Sequence, residues 1–180
     1  GKMAGGREKR ERGAVVSASR KKKGWGWAMR GEVNKGFWSW ALWRYEPEEV
    51  GGYLLGLQQQ HGLIILGAMF LAWLGGRGNF LTAEAWGVLR QRISPWVDCV
   101  VLPLRQQRVV WGQNPQRVED RRALLRLELE AEKTLAQILC GAVDVDALTR
   151  EEECIARNLS HLPELPSTDL INRLETLLGR

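Results

Sequence analysis

The polar and apolar positions of this chain follow helical periods almost throughout, and one stretch has no period because it has almost no polar residue. From Leu63 to Leu74 twelve successive residues are apolar or glycine. Gln58, Gln59, Gln60 and His61 stand before the run, and Gly75, Gly76 and Arg77 stand after it. A run of about 10–14 apolar residues marks a buried core helix, whereas a membrane span needs about 20. Being apolar on nearly every side, this helix is expected at the centre of a bundle.

Around it the spacing predicts further helices. In "FWSWALWRY" (37–45), at about 100° per residue, Phe37, Trp38, Ala41, Leu42 and Tyr45 share one side and are read as core. Trp40 and Trp43 fall on the flank as candidates for a partner surface or for core-edge packing. Pro47, Glu48 and Glu49 open the next helix. Its stripe is Val50, Tyr53, Leu54 and Leu57, which His61 extends, and Gly62 offers a stop. Gly51, Gly52 and Gly56 each weaken it by about 1 kcal/mol relative to alanine, a cost that close helix contacts would explain. Thr82 is an N-cap ahead of Trp86, Leu89 and Ile93. Ser94-Pro95 restarts the chain, Trp96, Val100, Leu104 and Trp111 form a stripe, and Pro103 must kink or split that segment.

Asn114-Pro115 opens a long helix over about 115–140, with Val118, Leu125 and Leu129 on one side and Leu124, Leu127, Leu135 and Ile138 widening the strip. Its 25 or so residues reach roughly 37 Å, lying across the bundle or protruding to meet a partner. Two short helices are expected near 147–158 and 168–178, and no strand. The fold class is therefore all-α: a single helical bundle of about six to eight helices around the apolar helix 63–74. Residues 36–180 make the helical domain, with a core bundle at 36–112 and the long helix plus short C-terminal helices at 114–180.

Charge changes the picture at one end only. The net charge is +5. Residues 1–35 hold eleven Lys/Arg against three Glu, a net +8, and the remainder holds fifteen basic against eighteen acidic groups, a net −3. The basic character thus belongs to an arm that lacks an apolar period, and its composition predicts disorder. Arg20, Lys21, Lys22 and Lys23, with Trp25 and Trp27 beside them, could meet nucleic acid or an anionic surface. Alternatively Met29 is a start and residues 1–28 an upstream extension. No 7–15-residue apolar segment follows the basic residues, so the arm does not read as a secretory signal. Cys99, Cys140 and Cys154 are odd in number and widely spaced, and His61 and His161 have no metal-ligand spacing. Buried free thiols, no metal, no cofactor and a cytoplasmic location are the expectation.

Phosphate-cradling glycine motifs, a nucleophile elbow, a zinc-protease helix and a calcium loop are all missing from the sequence. Arg77 in "GGRG" could grip an anion. Asp98 and Arg105 lie two turns apart on one helix side, where an ion pair is expected. His61 is the one enclosed proton-transfer candidate, set against a packed structural histidine.

The order of elements from Phe37 to about Trp111 resembles a bacterial family known only as domain of unknown function 2390. The residues that carry the likeness are "FWSWALWRY", "LQQQHGLIILGAMFLAWLGGRG" and "SPWVDCVVLPLRQQR". One departure stands out: Ile64 and Leu66 occupy positions after His-Gly where relatives often have polar residues. The resemblance implies a small cytoplasmic helical protein and assigns no activity. Three functions stay open on the sequence. The first is a non-enzymatic protein-interaction or adaptor module. The second is a small-molecule or lipid-binding bundle, or an enzyme, with a pocket near His61, Asp98 and Arg105. The third is a nucleic-acid accessory protein acting through the arm.

Overall fold

The computed structural model describes residues 36–152 and 154–179. The basic arm, including Arg20 to Lys23, lies outside the described residues. Helix α1 covers 36–45, and Pro47 stops it because the residue before a proline is pushed out of the helical region. Helix α2 (Glu48–His61) follows, with Glu48 and Glu49 in its first turn and a left-handed Gly62 (φ 69°) closing it. A Cβ at Gly51 would sit 2.4 Å from the Tyr45 carbonyl oxygen, so the start of α2 passes over the end of α1 only because that position has no side chain. Gly56, in contrast, has nothing within 4 Å.

Helix α3 (Ile65–Gly76) is the central element. Every residue from Leu66 to Gly75 is buried, as its unbroken apolar character predicts. Phe37 of α1 meets Phe70 and Trp73 edge-on, at 5.1 and 5.7 Å between ring centroids. Helix α4 (Ala83–Trp96) begins with Thr82 accepting from the Ala85 amide at 3.2 Å, and it buries Trp86, Leu89 and Ile93.

The chain then runs through a π-helical turn, Val97–Val101, into α5 (Leu102–Gly112). The Leu102 amide bonds the Val97 carbonyl five residues back, and Pro103 supplies no amide at all. The proline thus splits the segment by widening one turn. That wider turn changes the phase of the helix. Val97 and Val101 become its buried positions, while Trp96, Val100, Leu104 and Trp111 are only half-buried.

Helix α6 (Val118–Ala142) is the long helix, and its face agrees with the expected strip at Leu124 and Leu135 but is turned away from most of the rest of it. The buried line is Leu124, Glu128, Ala131, Leu135, Ala136, Leu139 and Cys140. Val118, Leu125, Leu127 and Leu129 are exposed. Helix α5 has no buried residue and α6 has none before Leu124, so the two form a hairpin that projects from the bundle.

The C-terminal segment corrects a second expectation. In place of one helix over 147–158 there is a 3-10 turn at Val145–Ala147, a strand β2 (Thr149–Arg150) and a short α7 (Ile155–Leu159). Strand β2 pairs antiparallel with β1 (Asn79–Phe80), Asn79 facing Arg150 and Phe80 facing Thr149. Two residues are too few for an alternating period to be read from sequence. Helix α7 lies against α3 at Gly75, where a Cβ would come within 2.6 Å of Ile155 Cα. Helix α8 (Thr168–Leu178) starts as expected, with Ser167 accepting from the Leu170 amide at 3.3 Å.

Arg90 of α4 clamps the loop before α8 by a two-pronged bond to Glu164, Nη1 to Oε2 at 3.0 Å and Nη2 to Oε1. Burial alone would raise the Glu164 carboxyl, but the Arg90 bonds outweigh it and hold the group below its ordinary value. A depressed folded value means stability present above the unfolded value and lost as pH falls through the folded one. Urea unfolding of Glu164→Gln should therefore show a flatter acid limb below about pH 5 than the parent chain, and an unchanged limb overturns this assignment.

Among the described residues no helix is long and apolar enough to cross a membrane. Cys140 and Cys154 are buried, and burial pushes the Cys140 thiol up to about 12. Cys99 departs from the expectation of buried thiols, because the π-helical turn leaves it exposed.

Candidate binding cleft

The edge of the bundle where α1, α2 and α3 meet the base of the α5–α6 hairpin holds a cleft of about 190 Å³. Trp38, Ala41, Leu42 and Tyr45 of α1 form one wall. Leu55 and Gln58 of α2 and Ile65, Leu66 and Met69 of α3 form the next, and Arg105, Arg108, Glu128, Leu129 and Glu132 of the hairpin complete it. The walls are largely hydrocarbon. Leu42 (47%), Leu55 (41%) and Leu129 (52%) are large apolar side chains left exposed at its rim.

This arrangement explains α1. Its buried line is Phe37, Ala41 and Arg44, not the centre of the predicted stripe. Trp38, Leu42 and Tyr45 lie about 80–140° round the helix from Phe37 and face the cleft. Arg44 is buried because its guanidinium donates to the Leu177 carbonyl in the last turn of α8, where a cation complements the helix dipole.

The polar side of the cleft is a lattice of charges that the sequence hid. Arg105 donates from Nε to Glu128 Oε1 at 3.2 Å and from Nη2 to Glu132 Oε1 at 2.7 Å. Arg108 grips Glu128 with two nitrogens, Nε on Oε2 and Nη2 on Oε1 at 3.3 Å. With its amide oxygen turned inward, Gln58 accepts from Arg105 Nη1 at 2.6 Å. Burial raises the Glu132 carboxyl above its usual range against the opposing pull of Arg105. The bond to Glu128 holds the Arg108 guanidinium even more firmly protonated than usual. Burial also raises the Tyr45 phenol, with Arg105 opposing it. Two carboxylates are thus tied down by two guanidinium groups, and the cleft presents hydrocarbon above a neutralised polar floor.

Arg105 is the one sequence candidate among His61, Arg77, Asp98 and Arg105 that lines this cleft. Its expected partner was Asp98, but the π-helical turn intervenes, and Arg105 pairs with α6 while Asp98 is exposed. His61 neither packs into the core nor lines the cleft. It is exposed at the last residue of α2, because the helix stops at Gly62 and leaves it overhanging. Arg77 is exposed, stacked 4.4 Å over the Trp73 ring. Trp40 is half-buried and stacks on Phe37 at 6.4 Å. Trp43 is exposed, with Arg44 5.2 Å from its ring. Sequence reasoning missed Tyr45, Gln58, Arg108, Glu128 and Glu132 as a group. The signal available was an Arg pair at i, i+3 facing a Glu pair at i, i+4 across one turn.

Residues 36–139 match the family model described as a protein of unknown function, DUF2390. The chain belongs to the DUF2390 family. No curated protein and no solved structure matches it. Every residue lining the cleft falls inside the stretch matched to DUF2390, whereas α7 and α8 lie outside it. Leu66 lies on the cleft wall of this DUF2390 member, so its apolar character bears directly on what the cleft accepts.

Proposed function

We propose that this protein works as a non-enzymatic interaction module, receiving one large apolar side chain of a partner polypeptide in the cleft. The observation that carries this reading is the size of the cleft together with its rim. Drug-sized ligands occupy about 300–1,000 Å³, and about 190 Å³ is closer to the space that one aromatic ring fills. Exposed Leu42, Leu55 and Leu129 surround it as the water-excluding ring of an anchor pocket. The second reading, a small-molecule site built on His61, Asp98 and Arg105, has less support, since only Arg105 reaches the cleft. The widely spaced cysteines, two of them buried, favour a reducing, cytoplasmic setting.

Indole and toluene serve as probes of the anchor. Titrated into the ¹⁵N-labelled full chain, they should shift the amides of Trp38, Leu42, Leu55, Met69 and Leu129 and leave those of α8 in place. Leu42→Asp with Leu55→Asp should weaken this binding at least tenfold while the fold is kept, because both side chains are exposed. Saturating indole that moves no cleft resonance overturns the proposal.

A further inference from the structure

The hairpin that borders the cleft has a charge unlike that of the rest of the body. From Arg105 to Arg126 there are six arginines (105, 108, 117, 121, 122 and 126) against Glu119 and Asp120, a net +4. The remainder of residues 36–180 carries nine basic and sixteen acidic groups, a net −7. Arg105 and Arg108 are neutralised by the glutamates of the cleft. Arg117 pairs with Asp120 and Arg122 with Glu119, both at 2.9 Å. Arg121 and Arg126 have no carboxylate within ion-pair distance among the described residues.

These cations bracket an apolar stripe. Val118, Leu125 and Leu129 recur seven and four residues apart on one side of α6, all exposed, and Leu129 is also part of the cleft rim. At about 100° per residue Arg121 lies to one side of that stripe, and Arg122 and Arg126 to the other. The stripe therefore leaves the cleft and runs out along the hairpin for roughly 16 Å, about three helical turns.

We infer that the partner is an acidic amphipathic helix. Its apolar face lies on Val118, Leu125 and Leu129, its carboxylates meet Arg121 and Arg126, and one large apolar residue enters the cleft. The inference rests on the anchor reading above and adds the charge and form of the partner. A phosphodiester strand fits less well, since leucine and valine interleave the arginines and Glu119 and Asp120 share the patch.

The test uses the full chain and three probes. One is a synthetic 18-residue amphipathic helix with leucines and one tryptophan on the apolar face and glutamates on the flanks. The second is the same peptide with every glutamate replaced by lysine, and the third is a 20-nucleotide single strand. By fluorescence anisotropy the acidic peptide should bind at least tenfold more tightly than its lysine counterpart, and less tightly at high salt. Arg121→Glu with Arg126→Glu should cost it at least tenfold, and Leu125→Asp likewise, although residues 1–35 keep all their charge. Equal affinity of the two peptides, or acidic-peptide binding untouched by the Arg121/Arg126 reversal, overturns the inference. So does an oligonucleotide that depends on those arginines where the acidic peptide does not bind. If indole still occupies the cleft in any of these cases, the anchor reading survives and only the partner's charge is wrong.

Discussion

Asn158→Ala is expected to remove about 3 kcal/mol or more of folding stability, a large share of the 5–15 kcal/mol typical of a domain. The side chain is fully buried and ties three elements together. Its Oδ1 accepts from the Leu81 amide at 3.0 Å, and its Nδ2 donates to the Leu71 carbonyl at 3.1 Å and the Asn79 carbonyl at 2.9 Å. Alanine leaves the Leu81 amide and the Asn79 carbonyl without this partner, and each buried unpaired group costs about 1–3 kcal/mol. It also leaves a void where α7 meets α3. Asn158→Asp keeps the shape and loses both donors. Burial there raises the new carboxyl above its unfolded value, so the deficit of this variant should grow as pH rises through the carboxylate range and shrink as it falls. Urea unfolding at two pH values checks both statements. A loss below about 1 kcal/mol for Asn158→Ala, or a pH-independent deficit for Asn158→Asp, shows that the node is not holding α7 in place.

The contrast between α3 and α6 shows which parts of this structure a local pattern can reach. Twelve apolar residues in succession leave a helix no polar face to turn outward, so the central position of α3 follows from its own composition. The caps at Thr82 and Ser167 and the stop at Gly62 are equally local: each satisfies a backbone group within three or four residues. Helix α6 is different because a glutamate sits in its buried line. Glu128 is buried by arginines 20 and 23 residues earlier in the chain, and the leucines at 125, 127 and 129 lose the inward side to that pairing. Hydrophobic periodicity assigns the core to the whole apolar strip, of which Leu124 and Leu135 are buried and Val118, Leu125, Leu127 and Leu129 are not. Arg44 is buried through an equally distant partner, its acceptor being 133 residues away. The π-helical turn adds a phase change that a fixed 3.6-residue period cannot follow, and it separates Arg105 from Asp98. The candidate cleft is made of these non-local features, so among its polar residues the local pattern points to Arg105 alone as a ligand candidate.

Glu128→Ala should cost about 2–4 kcal/mol, and the loss should concentrate in the hairpin. The carboxylate accepts from both Arg105 and Arg108, and its side chain is 12% exposed while theirs are 20% and 22%. Removing it leaves two neighbouring guanidinium groups with Glu132 as the remaining carboxylate at hand. Breaking a buried pair costs about 3–5 kcal/mol because the surviving charge stays desolvated, and the partial exposure here lowers that figure. Helix α5 has no buried residue to hold it otherwise. Amide hydrogen exchange should therefore quicken over residues 102–128 in this variant, with little change over α3. The clamp and the cleft can then be told apart. Replacing the set with hydrocarbon, as in Glu128→Leu and Glu132→Leu with Arg105→Met and Arg108→Leu, should restore most of the lost stability, since well-packed apolar residues often match a buried ion cluster. Indole binding should survive in that quadruple variant, because hydrocarbon walls, not the charges, hold the anchor. If Glu128→Ala leaves hairpin exchange unchanged, the ion lattice does not brace α5 against α6. If the quadruple variant is stable yet indole no longer binds, the charged floor takes part in recognition.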